Sequence, residues 1–395
     1  MNILLISSIY PEPEEYRIRN DTKAVHYFAK EWVNDGHRVI VLHPYQNAIK
    51  LLLSRKISKE IRENVIDGVT VIFGEVQLYI PHTNRPLVFQ QKHLAVRMRE
   101  YLRKKHSDFV PDLVLSHFPM SSFSFAKIFL SKSIKSACIL HGIDLRELEG
   151  LSNYSRNRMI SEIKDSFSTI AYRSNNLKSR AQKIGLSVKE EPIILSGISE
   201  TLIWDEESVI QKAEKREDFL RVIYAGNLNK QKRVDIILKE IAKYSGNYML
   251  EIIGSGEEEE TLKELCRNLQ IEDRVRFYGR IPRNQVISHM RKATLFAMVS
   301  TNETLGLVYL EAMAQGCIVI GTKGEGIDGI IIDGVNGYLV DPEDDNTLFD
   351  KINALQNLSE TEIKKIILNG YYTAKKLTDK KVANDYLEKI CRLLD

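Results

Sequence analysis

Two glutamates eight residues apart, Glu303 and Glu311, lie in the segment Ser300-Thr-Asn-Glu-Thr-Leu-Gly-Leu-Val-Tyr-Leu-Glu-Ala-Met-Ala-Gln-Gly316. Carboxylates accept hydrogen bonds from hydroxyl-rich ligands and steady positive charge. Along a helix this spacing separates them by about 12 Å and turns them about 80° apart, so both can line one cleft. That separation exceeds the roughly 5 to 10 Å of paired glycosidase carboxylates, which argues against direct glycoside hydrolysis. A second chemical stretch is Ala225-Gly226-Asn227-Leu-Asn-Lys230-Gln-Lys232-Arg233. Its glycine lets backbone approach a ligand, and its lysines can neutralise a diphosphate. Two histidines, His117 before Phe118-Pro119 and His141 before Gly142-Ile-Asp144, complete the set. Taken singly, each residue has a bland reading: a helix-start acid, a solvated surface charge, a basic turn or a satisfied buried histidine.

The elements around these residues give them direction. Ala293 to Val299 reads as a buried parallel strand, and Leu307 to Ala314 as a helix closed by Gly316. Glu303 then falls in a strand-to-helix turn, where the amides of Gly306 and Leu307 would receive an anion. A carboxylate at such a mouth repels phosphate, so Glu303 is expected to face the hydroxyls of a sugar or ribose. Asn2 to Ser7, Thr22 to Asp35 and Arg38 to His43 read as a βαβ opening, with His117 and His141 at the ends of later strands. Glu200 to Asp218 reads as a polar linker, and Leu220 to Tyr224 starts a second alternating series. Asp333 to Val340 reads as a hairpin-like turn and strand, and Lys380 to Leu394 as an amphipathic helix. The loop Tyr10 to Asp21 holds no glycine and so no dinucleotide fingerprint. The lone Gly254-Ser-Gly256 faces four glutamates, Glu257 to Glu260, which would repel a pyrophosphate.

At 395 residues and 43% hydrophobic, the chain is sized for two globular domains. Its four cysteines are scattered, which excludes a disulfide framework and a zinc site. Met1 runs directly into a strand pattern without a basic leader, and no apolar run reaches membrane-spanning length. A cytoplasmic protein is expected. Residues 1 to 198 hold 29 Lys+Arg against 20 Asp+Glu, while the remainder holds 27 against 33. Residues 50 to 64 and 88 to 105 carry apolar and basic residues at helical spacing, which suits either ordinary surface helices or contact with anionic lipid at the inner face of a membrane. Nucleic acid is not expected, because interleaved aromatics and a known binding motif are missing.

The Glu303 to Glu311 segment, with Leu305-Gly306 and Glu311-Ala-Met-Ala-x-Gly316, resembles the donor-binding motif of family 4 retaining glycosyltransferases. Gly36-His-Arg-Val39, Ser196-Gly197-Ile198-Ser199 and the Gly226 loop extend the resemblance over nearly the whole chain. It implies an α/β GT-B fold, with two Rossmann-like domains facing an interdomain cleft. The implied divisions are an acceptor-binding domain at 1–199, a linker at 200–218, a nucleotide-sugar domain at 219–378 and a helix at 379–395 crossing back. Lys232 matches the family lysine that meets the donor phosphates; Asn227 replaces its arginine and Arg233 its following glycine. By resemblance the donor site takes Gly226, Asn227, Lys232, Arg233, Glu303, Leu305, Gly306, Leu307, Glu311 and Gly324, with the backbone of Arg280 and Ile281 at the base. Catalysis is assigned to Glu303, His117 and Lys232, and acceptor contact to Asn20, Asp21, Thr22, His117 and His141.

The implied activity is metal-independent retaining transfer of a hexose-type sugar from a nucleotide-sugar to a glycan or lipid-linked acceptor, in bacterial surface-polysaccharide assembly. No cofactor is expected, the nucleotide-sugar being a substrate. A catalytically silent nucleotide-binding partner subunit, or an epimerase or phosphorylase on the same double fold, are the alternatives. The lost arginine and asparagine matches keep the first of these open.

Overall fold

The computed structural model describes residues 1–11, 23–48, 60–78, 88–215, 219–341, 343–344 and 346–394. The chain divides into two compact units. One comprises Met1–Arg173, Leu177–Ile194 and Val382–Asp395; the other comprises Ser174–Asn176 and Leu195–Lys381.

The amino-terminal series runs β1 (Asn2–Ser7), α1 (Ala24–Asn34), β2 (Arg38–Ala48), β3 (Ile61–Ile66), β4 (Val69–Leu78), α2 (Val88–Lys105), β5 (Leu113–His117), α3 (Pro119–Ala126), β6 (Lys135–Leu140), α4 (Gly142–Glu149), α5 (Asn153–Ser166), β7 (Thr169–Tyr172) and α6 (Asn175–Lys183). The seven strands lie in the order β3-β4-β2-β1-β5-β6-β7. All neighbours are parallel except β3 and β4. Strand β1 is apolar at successive positions because helices cover both faces of a parallel sheet.

The helix expected over 50 to 64 is not what forms at its described end. Ile61–Ile66 pairs antiparallel with β4 through Asp67-Gly68, both at positive φ (48° and 81°), the geometry of a two-residue hairpin turn. The β-branched Ile61, Val65 and Ile66 beside an Asp-Gly turn outweigh the helical spacing; residues 49–59 lie outside the described residues.

The carboxyl-terminal series runs α7 (Glu206–Glu214), β8 (Leu220–Ala225), α8 (Val234–Ile241), β9 (Tyr248–Ile253), α9 (Glu259–Asn268), β10 (Val275–Gly279), α10 (Arg283–Lys292), β11 (Leu295–Ala297), α11 (Leu307–Ala314), β12 (Ile318–Thr322), β13 (Tyr338–Val340), α12 (Thr347–Gln356) and α13 (Glu360–Lys376). Its six strands take the order β10-β9-β8-β11-β12-β13 and are parallel throughout. The presumed hairpin after Asp333 instead delivers β13 alongside β12 in parallel. The stretch read as a linker contains α7, whose Val209 and Ala213 are buried in the core of this unit. The last helix, α14 (Asp379–Leu394), belongs from Val382 onward to the amino-terminal unit.

Candidate active site

In the carboxyl-terminal sheet the chain order reverses at β8 and β11. Loops leaving the carboxyl ends of two such strands diverge and leave a crevice, the general place for a ligand in an open α/β sheet. The loop after β8 carries Gly226 to Arg233, and the loop after β11 carries Ser300 to Gly306. They are stitched together where Thr301 N donates to Gln231 O at 2.8 Å. Across that seam Lys232 Nζ forms an ion pair with Glu303 Oε2. Both side chains remain reachable, at 22% and 17% exposed.

Local backbone explains the aim of each partner. Lys232 ends a 3-10 turn capped by Asn229, whose Oδ1 accepts from Lys232 N at 3.2 Å. Arg233 follows at φ 46°, in the left-handed region where glycine costs least, so this arginine occupies a position that suits the glycine it replaces. It reaches Glu343 at 3.2 Å. Glu303 is held by the loop after β12. Glu325 accepts from Asn302 N at 2.9 Å and from Glu303 N at 2.8 Å, and Gly326 N donates to Glu303 O at 3.0 Å. A Cβ on Gly326 would stand 1.9 Å from Thr304 O, so only glycine permits this contact.

The Gly254-Ser-Gly256 turn serves the same purpose from below. A Cβ at Gly254 would lie 1.8 Å from Gly226 O, and one at Gly256 would lie 2.0 Å from Leu228 O. These glycines let two loops pack backbone to backbone.

Gly306 caps α11 at φ 75°, Leu305 beside it is buried, and Leu307 opens the helix. Glu311 follows on α11. It pairs with Arg283 at 2.5 Å, the two side chains being 9% and 60% exposed. Burial lifts the Glu311 carboxyl above its ordinary range, and Arg283 opposes that rise. Arg280 and Ile281 lie in the turn from β10 to α10, the first exposed and the second half-buried. Asn227 is exposed, and its carbonyl accepts from Tyr224 Oη at 2.8 Å. Gly324, at φ 76°, donates its N–H to Asp328 Oδ2 at 2.7 Å.

The histidines sit in the amino-terminal unit, where β1 and β5 form the corresponding reversal. His117 is fully buried. Its Nδ1 meets His141 Nε2 at 2.9 Å and its Nε2 meets Tyr386 Oη of α14 at 3.1 Å. Both ring nitrogens are therefore engaged inside the protein, and His117 has no exposed surface. His141 is also buried and stacks on Phe118, with ring centroids 3.7 Å apart. Desolvation holds both imidazoles well below their ordinary range, and the nearby Arg173 guanidinium adds to the shift. Arg173 itself, buried over the Phe28 ring, is lowered to about 10 by desolvation. Asp144 accepts from His141 N at 2.8 Å and Met120 N at 3.0 Å; burial still raises it to about 7.

Asn20, Asp21 and Thr22 lie outside the described residues. Sequence reasoning missed Arg283, Glu325, Arg173 and Tyr386. Glu325 had a signal in its glycine-rich loop. Arg283 had none, because its partner lies 28 positions away on another helix.

Residues 205–371 match the family model described as glycosyl transferases group 1. The match lies within the carboxyl-terminal unit of this chain. It is 29% identical over 300 residues to N-acetyl-alpha-D-glucosaminyl L-malate synthase of Bacillus anthracis, covering 75% of this chain and 74% of that protein. It is 27% identical over 219 residues to the Campylobacter jejuni N-acetylgalactosamine-N,N'-diacetylbacillosaminyl-diphospho-undecaprenol 4-alpha-N-acetylgalactosaminyltransferase, covering 54% and 57%. Among solved structures, Anabaena HepE in complex with UDP superposes with a TM-score of 0.71 at 17% identity, covering 99% of this chain and 100% of that one. The fold of this glycosyltransferase is accordingly GT-B, built from two Rossmann-like units.

Proposed function

We propose that this glycosyltransferase is a family 4 retaining enzyme that moves a hexose-type sugar from a nucleotide-sugar to a glycan or lipid-linked glycan in bacterial surface-polysaccharide assembly. The observation that carries the reading is the Lys232–Glu303 pair across the reversal of the carboxyl-terminal sheet. A cation and a carboxylate held together there are matched to a diphosphate and to a sugar.

When the donor arrives, its diphosphate competes for Lys232 and takes the amides at the α8 and α11 starts. Glu303, freed of its cation but still held by its backbone, turns to the sugar hydroxyls and supports positive charge at the anomeric carbon. Glu311 holds the ribose hydroxyls. The bond from the anomeric carbon to the phosphate oxygen breaks, and the acceptor oxygen bonds to the same face of that carbon. The departing phosphate takes the acceptor proton, and a nucleoside diphosphate leaves. No step uses a metal. His117 acts as a positioning residue, through His141 and Tyr386.

The relatives lend weight to the substrate class. The Campylobacter transferase carries a diphospho-undecaprenol acceptor in its name, and the HepE structure holds UDP. Helix α2 begins with the exposed Val88 and Phe89 and ends with Arg103, Lys104 and Lys105, a surface suited to anionic lipid at the inner face of a cell membrane. No described helix is long and apolar enough to cross a membrane.

The test is a panel of nucleotide-sugars with the purified protein, following nucleotide release with and without lipid-diphosphate sugar acceptors. Release that requires one donor, an acceptor and Glu303 supports the proposal. Binding without turnover on any acceptor favours a silent partner subunit, and absence of binding sinks the donor-site assignment.

A further inference from the structure

Glu311 is a buried carboxylate with little to hold its charge. Among the described residues its carboxyl group has one polar partner, Arg283, which reaches it through Nη2 at Oε1. A carboxylate taken out of water without a cation or several N–H donors takes up a proton instead. As a neutral acid it becomes a donor with reduced accepting capacity. Burial already pushes Glu311 in that direction, and Arg283 is the group opposing it.

The Arg283 contact leaves accepting capacity on the carboxylate. An ionised carboxylate accepts at about four lone-pair sites, and the arginine bond occupies one of them. Oε2 is left for a hydroxyl. The arginine side chain is 60% exposed, so its guanidinium meets Glu311 from the solvent side. A bond to one oxygen from outside keeps the carboxylate charged without covering it.

Arg283 is also delivered by a fixed element. It is the first residue of α10, directly after Pro282 at φ −57°. Farther along, His289 Nδ1 meets Glu251 Oε2 at 2.9 Å, and Glu251 Oε1 accepts from Tyr278 Oη at 3.0 Å, tying α10 to β9 and β10. The helix cannot drift away from Glu311 without breaking that second tie.

We propose that Arg283 is a positioning residue of the donor site, which keeps the buried Glu311 ionised and so sets a preference for ribonucleotides over 2′-deoxyribonucleotides. The inference rests on the reading above that Glu311 holds the ribose. A vicinal diol donates two hydrogen bonds to a carboxylate and loses one when the 2′-hydroxyl is missing. Only the ionised Glu311 can accept both. The guanidinium suits the role because it stays charged at every working pH and meets a carboxylate in plane.

The experiment is calorimetric titration of the full chain with ADP, CDP, GDP and UDP and with their 2′-deoxy counterparts, between pH 5.5 and 8.5. Wild type, Glu311→Gln, Arg283→Gln and Arg283→Lys are compared. Wild type should prefer the ribonucleotide of its base by about tenfold, the scale of one hydrogen bond to a charged group. Glu311→Gln should lose that preference at every pH. Arg283→Gln should lose it at pH 5.5 and regain it as pH rises, since removing the cation raises the Glu311 value further and alkali ionises it again. Arg283→Lys should restore most of it. Binding of the deoxynucleotides, which keep one hydroxyl for Glu311, should fall less than that of the ribonucleotides, and melting curves of each variant check folding. The inference is overturned if Arg283→Gln keeps the full preference at pH 5.5, or weakens ribo- and deoxyribonucleotides equally at all pH. If wild type binds the two sugars alike, the ribose reading of Glu311 fails first and the inference with it.

Discussion

The two units share one architecture, a mainly parallel sheet whose chain order reverses beside a polar strand end, yet treat that strand end in opposite ways. In the carboxyl-terminal unit, glycine-bearing loops pack backbone to backbone and leave Lys232 and Glu303 paired but accessible. In the amino-terminal unit, His117 is covered, its ring nitrogens satisfied by His141 and by Tyr386, 269 residues along the chain. The contrast bears on the proposed donor site: there the polar side chains sit on loops held together by backbone contacts, whereas the histidines are held by one another and by Tyr386. Backbone holds Glu303 through Glu325 and Gly326, so its carboxylate can change partner without the loop collapsing. His117 has no comparable freedom.

The largest effect expected from this difference is at Glu303. Glu303→Gln should lower turnover about 10² to 10³-fold, the scale of losing one preorganised electrostatic contact to the transition state, with little change in melting temperature. A melting loss as large as the activity loss would mean that the carboxyl-terminal site is as structural as the histidine cluster, and the comparison would break. Lys232→Ala should fall in the same range, read as slower nucleotide release.

Next come the glycines. Gly326→Ala and Gly254→Ala each force a Cβ onto a carbonyl oxygen, at 1.9 and 1.8 Å, and should cost about 1 to 3 kcal/mol of stability. Denaturant unfolding checks this, and a neutral Gly326→Ala would show that the loop after β12 does not clamp Glu303.

The amino-terminal unit should reveal itself through pH. His117 and His141 stay neutral when folded but protonate when unfolded below about 6.5, so each removes about 1.4 kcal/mol per pH unit as acid is added. Asp144 works the other way. With a folded value of about 7 against an ordinary 3.8, its contribution grows as pH falls through that window. Between pH 6.5 and 5 these three groups should leave a net loss of about 1.4 kcal/mol per unit. Melting curves of His117→Gln should be flatter over that range, and those of Asp144→Asn steeper. Equal slopes in all three proteins would place the cluster's charge elsewhere.

The smallest effect is at Arg233. Arg233→Gly relieves a left-handed backbone at φ 46° and loses an exposed contact to Glu343, so stability should stay within about 1 kcal/mol of wild type. Arg233→Val, which cannot adopt that conformation cheaply, should fall clearly below it by the same melting assay.

Several features were legible from local pattern. Continuous apolar runs became parallel strands, the Glu303 turn fell between β11 and α11, and the Gly226 loop fell after β8, because strand and helix periodicity and glycine chemistry are properties of neighbouring residues. Helical spacing misled at Ile61 to Ile66, where a two-residue Asp-Gly turn made a hairpin edge available. Gly254 and Gly256 were visible as a motif but not as packing, since the carbonyls they meet belong to another loop.

The sequence by itself determined the α/β alternation, the family resemblance and the pair of glutamates, all of which rest on spacing along the chain. Tertiary structure alone decided that Lys232 meets Glu303, that Arg283 meets Glu311, and that His117 is sealed beneath Tyr386. Each of those outcomes depends on strand order and on a distant segment arriving at one strand end, and burial and charge are fixed only once that neighbour is in place.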